Sequence, residues 1–131
     1  MNKTPVDIDQ EAILLFHDLA EQRDNYALND EKAGFTVSPE FRHRFFSLLD
    51  VLNLRLIDDR DNFFGYFLFQ ADRDLRFHLD SPTGTTFKNG RYTLYFNPYL
   101  FLQLTAEQME SAVKHEVLHI LSLHPLRAKD L

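Results

Sequence analysis

Apolar residues recur at every third or fourth position through the first part of the chain, which is the spacing of amphipathic helices. This spacing predicts a first helix from residue 7 to about residue 28, with inward positions Ile8, Ala12, Leu15, Leu19 and Tyr26. Ser38 and Pro39 favour a second helix start, because serine caps helices well and proline is tolerated in the first turn. The second helix is expected to extend to about residue 53, with an apolar stripe of Phe41, Phe45, Leu48, Leu49 and Leu52.

The middle of the chain changes to patterns that are typical of strands. After a polar link at residues 58–62, the short aromatic run at residues 63–70 predicts a buried strand. Leu75, Phe77 and Leu79 then alternate with polar residues, which predicts a half-exposed strand.

A β-hairpin is predicted between residues 85–88 and 91–96. Residues 80–84 have the composition of a turn, and Asn89-Gly90 is the strongest short hairpin signal, because both positions favour positive φ. Asn97-Pro98 is expected to end the last strand. The predicted sheet is therefore antiparallel and has three or four strands.

The last predicted helix begins at Thr105. Thr105 and Gln108 form a capping box, and Glu107 lies near the positive end of the helix dipole. Apolar residues cover most of the circumference, which favours a helix buried at the centre of a small domain; they are Met109, Ala112, Val113, Val117, Leu118, Ile120, Leu121 and Leu123. Two helices, a small antiparallel sheet and a C-terminal helix make an α+β fold.

Composition and charge limit which kinds of protein and partner the sequence is compatible with. A chain of 131 residues with 44% hydrophobic content predicts a single domain over residues 1–131. The net charge of −6, without a cluster of Lys and Arg, argues against nucleic acid as a partner. The chain has no cysteine, so nitrogen and oxygen atoms must hold any zinc. No secretory signal or membrane span is recognisable, which predicts a cytoplasmic protein without a membrane partner.

His115, Glu116 and His119 spell His-Glu-x-x-His on the last helix. A helix turns about 100° per residue, so imidazoles four residues apart lie within about 40° of each other and can reach one ion. Glu116 is rotated by one residue, so its carboxylate can approach a water on that ion without being a ligand. This is the geometry of a zinc hydrolase, and burial of the helix is expected to dry the site. The alternative is a degenerate motif that binds metal structurally or binds nothing.

The sequence identifies the third metal ligand less directly than the first two. On a continuous helix, His124 would lie about 140° from His119 and could not share its ion. Pro125 favours a helix end around residues 122–124, and a turn there could bring His124 under the metal. Two alternatives are open: His124 interacts with the last carbonyls of the helix, or an acidic residue beyond Leu131 is the third ligand.

From Thr86 onward the chain resembles the putative metallopeptidase domains found upstream of von Willebrand factor A-like domains in bacterial proteins. The resemblance is carried by Asn89-Gly90, Leu94 to Pro98, Leu104-Thr105, the motif from His115 to His119, His124 and Arg127. It implies a zincin-like fold with a metal-binding C-terminal helix, the ligands His115, His119 and His124, and Glu116 as the base. It also implies that the chain is the N-terminal part of a longer protein, with a von Willebrand A-like domain following.

The resulting hypothesis is a zinc-dependent peptidase that acts on a peptide or protein substrate. Glu116 would take a proton from water as the water attacks the peptide carbonyl, and would pass the proton to the leaving amine. A sheet edge beside the helix can pair with an extended peptide. Tyr92, Tyr95, Tyr99 or a residue beyond Leu131 is the candidate oxyanion stabiliser. The alternative is a catalytically inactive zincin-like module that presents its sheet edge to a protein partner.

Overall fold

The computed structural model describes residues 7–29, 35–58 and 71–123. Two long helices, α1 (Ile8–Asn29) and α2 (Pro39–Asp58), precede a sheet of three strands, β1 (Asp72–Leu75), β2 (Thr83–Lys88) and β3 (Arg91–Phe96). A short helix, α3 (Pro98–Phe101), leads into the last long helix, α4 (Ala106–Leu123). The described part of the chain is therefore α+β, with four helices and one small sheet.

Helices α1 and α2 confirm the first two predicted helices. The hydroxyl of Ser38 accepts a hydrogen bond from the Phe41 N–H at 3.1 Å, so the predicted serine cap starts α2. All five residues of the predicted α2 stripe are buried. The helix extends five residues beyond its predicted end because Leu56 continues this stripe and is itself buried in the core.

Phe45 of α2 lies where the helices meet the sheet. Its ring centroid is 6.2 Å from that of Phe41, 6.0 Å from that of Phe96 on β3, and 5.9 Å from that of Phe101 on α3. The contacts with Phe96 and Phe101 are edge-to-face, which is a favoured arrangement of aromatic rings. This cluster joins α2, β3 and α3 in one core.

The predicted hairpin is confirmed. Strands β2 and β3 are antiparallel, and the turn residues Asn89 and Gly90 have φ angles of 57° and 78°. Strand β2 begins at Thr83, so the last two residues of the predicted turn belong to the strand instead. Pairing with Phe96 of β3 draws Thr83 into the ladder.

The prediction of a wholly antiparallel sheet is wrong. The strand order is β1-β3-β2, and β1 pairs with β3 in parallel. Residues 76–82 carry the chain across to the far side of β3, which leaves β1 running in the same direction as β3. Ion pairs of Asp74 with Arg42 at 3.1 Å and of Arg73 with Asp50 at 2.7 Å join β1 to α2 on this side.

The alternation at Leu75, Phe77 and Leu79 describes exposure correctly but misplaces the strand, since β1 spans Asp72–Leu75 and shares only Leu75 with the predicted strand. These three side chains are half-buried and the intervening polar ones are exposed, yet β1 ends at Leu75. Period-two exposure therefore continues through a segment that has left the ladder. The other predicted strand, residues 63–70, lies outside the described residues.

Asn97 holds the segment between β1 and β2 in place. Its amide group donates hydrogen bonds to the carbonyls of Phe77 at 3.3 Å and Leu79 at 3.0 Å, and its side-chain oxygen accepts one from the Tyr99 N–H at 3.1 Å. Its backbone N–H donates to the Pro82 carbonyl at 2.9 Å. The side chain is only 4% exposed, so these bonds form away from water. Asn97 thus fixes where β2 begins.

Helix α4 starts at the predicted capping box. The Thr105 N–H donates to Gln108 Oε1 at 2.9 Å, and the Gln108 N–H donates to Thr105 Oγ1 at 3.2 Å. From α1, Asp9 Oδ1 accepts a hydrogen bond from the Ala106 N–H at 2.7 Å. Arg55 of α2 forms an ion pair with Glu110 at 2.8 Å. The start of α4 is therefore attached to both N-terminal helices.

The expectation that α4 is buried at the centre of the domain is wrong, because only one face of the helix is buried. Its buried side chains, Met109, Val113, Val117 and Ile120, follow the three- and four-residue spacing of one face. Leu118 on the opposite side is 54% exposed. In the ranges that the structure describes, no helix has the length and apolar character needed to cross a bilayer.

We predict that Asn97→Ala lowers the free energy of unfolding by about 2–4 kcal/mol, because two partly buried carbonyls and one N–H lose their partner. Denaturant unfolding measures the change. Asn25→Ala, at an exposed position of α1, is the control and should change stability by less than about 0.5 kcal/mol. Equal effects of the two substitutions would contradict the role given to Asn97.

Candidate functional site

An open cleft of about 970 Å³ lies between α4 and the beginning of β2. One wall is α4 from Glu107 to His119, and the other is residues 81–85. Leu104, just before the helix, closes part of the cleft. The cleft therefore lies where the last helix faces β2, which is at the edge of the sheet formed by the described residues.

The structure places His115, Glu116 and His119 in this cleft. All three lie on the continuous helix α4, so the two histidines are four residues and about one turn apart, as the motif predicts. Both histidines are exposed, whereas Glu116 is only 9% exposed. The carboxylate therefore lies deeper than the two imidazoles.

The expectation of a dry site is wrong for the histidines. The apolar face of α4 points into the core, and the face that carries Ser111, His115 and His119 borders the open cleft. Glu116 lies beside the buried Val117, between these two faces. Solvent reaches the imidazoles, while most of the Glu116 side chain is shielded.

Two of the three predicted metal ligands, His115 and His119, lie among the described residues. Within residues 7–29, 35–58 and 71–123, no three His, Cys, Asp or Glu side chains are close enough together to hold a metal ion. His115 and His119 offer two nitrogen donors to the same cleft, and a catalytic zinc site uses three protein ligands. A complete site would need a ligand from outside these ranges, where the predicted third ligand His124 lies.

Thr83 is a site residue that the sequence did not reveal. Its hydroxyl donates a hydrogen bond to Glu116 Oε1 at 2.8 Å, across the cleft from β2 to α4. The two residues are 33 positions apart, and the sequence pattern placed Thr83 in a turn. Local signals carry no information on such a contact, since it depends on how the sheet packs against the helix.

The three tyrosines considered as oxyanion stabilisers do not line the cleft. The Tyr92 ring packs 4.6 Å from that of Phe87, and the Arg76 guanidinium lies 4.0 Å above the Tyr95 ring. Tyr99 packs edge-to-face with Phe77 at 6.0 Å, and burial raises the pKa of its phenol. These side chains therefore have packing contacts elsewhere on the sheet and on α3.

The charges in the cleft favour a cation. Its walls carry the carboxylates of Glu107 and Glu116 and, within the described part of the chain, no Lys or Arg. Carboxylate and imidazole groups together are typical ligands and neighbours of divalent metals. The cleft thus has the right donor chemistry on its α4 wall.

A model of the putative metallopeptidase domain family matches residues 55–130. The chain belongs to this family. The match includes the end of α2, the whole sheet, α4 with its motif, and also residues 59–70 and 124–130, which the structure does not describe. It confirms the resemblance to putative metallopeptidase domains and extends it upstream of Thr86, whereas the zincin-like fold and the association with a von Willebrand A-like domain stay predictions. A metallopeptidase family implies a metal cofactor. No match is found among curated proteins or among solved structures.

The buried hydroxyl of Thr85 allows a test of the packing between the cleft walls. Its Oγ1 atom is buried without a hydrogen-bond partner in the part of the chain that the structure describes. We predict that Thr85→Val raises the free energy of unfolding by about 1 kcal/mol, because an unsatisfied buried hydroxyl carries a desolvation cost.

Thermal or denaturant unfolding measures this gain. The control is Thr86→Val on the exposed side of the same strand, which should stay within about 0.5 kcal/mol of the unsubstituted protein. A loss of stability in Thr85→Val would show that the hydroxyl has a stabilising partner.

Proposed function

We propose that the protein is a zinc-dependent metallopeptidase in which Glu116 is the general base and His115, His119 and His124 hold the metal. Membership of the putative metallopeptidase domain family supports this function. The observation that carries it is the position of Glu116, a shielded carboxylate between two exposed histidines in an open cleft. A peptide could enter this cleft from solvent and reach all three side chains.

The choice of zinc follows from the available donors. The chain has no cysteine, and imidazole nitrogen is a good zinc ligand. His115 and His119 lie on the cleft wall, and His124 is the proposed third ligand from outside the described residues. When bound, the metal would supply Lewis-acid chemistry, because it lowers the pKa of water and polarises a carbonyl.

Glu116 would move the proton in this reaction. Its Oε1 atom accepts the hydrogen bond from Thr83, so Oε2 is the oxygen proposed to take a proton from the attacking water. The same carboxyl group would then give the proton to the leaving amine. Shielding of the carboxylate from bulk solvent favours such a transfer, because it strengthens local electrostatic interactions.

An extended peptide is the proposed substrate. Strand β2 is at one end of the order β1-β3-β2 and forms the wall opposite α4. A free strand edge can pair with an extended segment by main-chain hydrogen bonds. From Glu107 to His119 the helical wall is about 18 Å long at a rise of 1.5 Å per residue, which accommodates about five extended residues.

A second candidate is a metal-free interaction module that uses the edge of β2. Strand β2 lies at one end of the order β1-β3-β2 and borders the open cleft, which favours pairing with a partner segment. Its partner would be a protein segment, for example from a following von Willebrand A-like domain. Metal content and hydrolysis separate the two candidates.

We predict that Glu116→Gln lowers kcat for peptide hydrolysis by about 10²–10⁴-fold, the usual contribution of a general base. Hydrolysis of a fluorogenic peptide library measures the change, with bound zinc determined in parallel. Zinc content should stay the same because Glu116 is not a proposed ligand. Glu21→Gln, exposed on α1 away from the cleft, is the control. Unchanged hydrolysis in Glu116→Gln would contradict the proposed mechanism.

We also predict about one zinc ion per chain in protein purified without chelators, and a loss of more than about tenfold in zinc affinity in His115→Ala and His119→Ala. Replacing a residue that only hydrogen-bonds to a zinc ligand typically costs about 10–100-fold in metal affinity or activity, so removal of a ligand should cost at least as much. Metal analysis measures the content. His43→Ala, an exposed histidine on α2, is the control.

His124→Ala tests the third ligand in the same assay. A loss similar to that in His119→Ala would support His124 as a ligand. An unchanged zinc affinity would contradict this assignment and favour an acidic ligand beyond Leu131. Absence of zinc from the unsubstituted protein would favour the interaction module.

A further inference from the structure

We infer that Thr83 is a positioning residue, whose hydroxyl orients the Glu116 carboxylate for proton transfer. This inference rests on the proposed function, because it assigns Thr83 a role in the same reaction. The hydrogen bond from Thr83 Oγ1 to Glu116 Oε1 is 2.8 Å long and partly buried. A bond from a neutral donor to a carboxylate is stronger than a bond between two neutral groups.

Glu116 needs such a partner because its side chain is long and can rotate. Helix α4 fixes the Glu116 backbone but leaves several rotamers open to the carboxyl group. Proton transfer requires the base to lie within about 2.6–3.2 Å of the proton donor. A misplacement of about 1 Å can lower the rate by 10²-fold. A hydrogen bond from the opposite wall restricts the carboxyl group to one orientation.

Thr83 is itself held rigidly enough to act as a reference point. The Ser81 hydroxyl donates to the Thr83 carbonyl at 2.7 Å, and Asn97 holds the preceding Pro82 carbonyl at 2.9 Å. Thr83 also pairs with Phe96 in the ladder. Because threonine is β-branched, its χ1 angle has few favourable values. The sheet therefore sets the direction of the hydroxyl.

Thr83 lies on the sheet side of the cleft, so its role differs from that of the motif residues. All three described motif residues come from one helix, and a rotation or shift of that helix would move them together. The hydrogen bond from Thr83 fixes the position of the Glu116 carboxylate relative to β2, which is the proposed peptide-binding wall. Thr83 would thus align the base with the substrate rather than with the metal ligands.

Kinetics of three variants test the inference. We expect Thr83→Val to lower kcat by about 10–100-fold, in line with a misplaced base, while KM changes by less than about twofold. Thr83→Ser retains the hydroxyl and should recover most of kcat. Thr86→Val, the same substitution on the exposed side of β2, should behave like the unsubstituted protein. Zinc content should be equal in all variants.

A normal kcat in Thr83→Val, or a kcat in Thr83→Ser as low as in Thr83→Val, would overturn the positioning role. If Glu116→Gln abolishes hydrolysis and Thr83→Val does not change it, the proposed function stands and this inference fails. If the unsubstituted protein hydrolyses no peptide, both fail.

A double-mutant cycle tests the contact independently of activity. Thr83→Val and Glu116→Ala are compared singly and together by thermal unfolding of the metal-free protein. We expect Thr83→Val alone to lower Tm by about 3–6 °C, and to have much less effect when Glu116 is already replaced. Additive shifts in Tm would show that the two side chains do not interact, and would overturn the inference.

Discussion

Helix α4 both packs in the core and carries the candidate site residues, and the rest of the structure depends on this pair of roles. Its face with Met109, Val113, Val117 and Ile120 must be buried in the core, and this burial sets the rotation of the helix about its axis. The rotation in turn decides that His115 and His119 border the cleft. A change of one residue in the apolar pattern would turn the helix by about 100° and move the motif away from β2. The packing of α4 in the core therefore determines the geometry of the candidate site.

Much of the fold could be predicted because the signals for it are local. The serine cap of α2, the Asn89-Gly90 turn and the Thr105–Gln108 capping box each act within a few residues, and each is present in the structure. The parallel pairing of β1 with β3 could not be predicted in this way. It depends on the path of residues 76–82, which the buried side chain of Asn97 holds from a distance of about 20 residues along the chain.

In the candidate site, too, the features set by local signals could be predicted and those set by tertiary packing could not. The shared location of His115, Glu116 and His119 follows from helical periodicity, so the motif was sufficient to predict it. Their different exposure could not be predicted, because it depends on which other elements cover each side of α4. The hydrogen bond from Thr83 is a tertiary contact and has no counterpart in any local pattern. Membership of the putative metallopeptidase domain family rests on the match of residues 55–130, whereas the distances in the site depend on packing.

The hydrogen bond between Asp9 and Ala106 limits how far the N-terminus can be shortened in a functional fragment. Asp9 belongs to α1, well upstream of the family match, yet it caps the helix that bears the motif. Nearly half of the buried apolar residues in the described core, including Leu15, Phe41 and Phe45, also precede the match. A fragment that begins at residue 55 would expose the apolar side of α4 to water and invite aggregation. The segment matched by the family model is thus shorter than the segment that supplies the core.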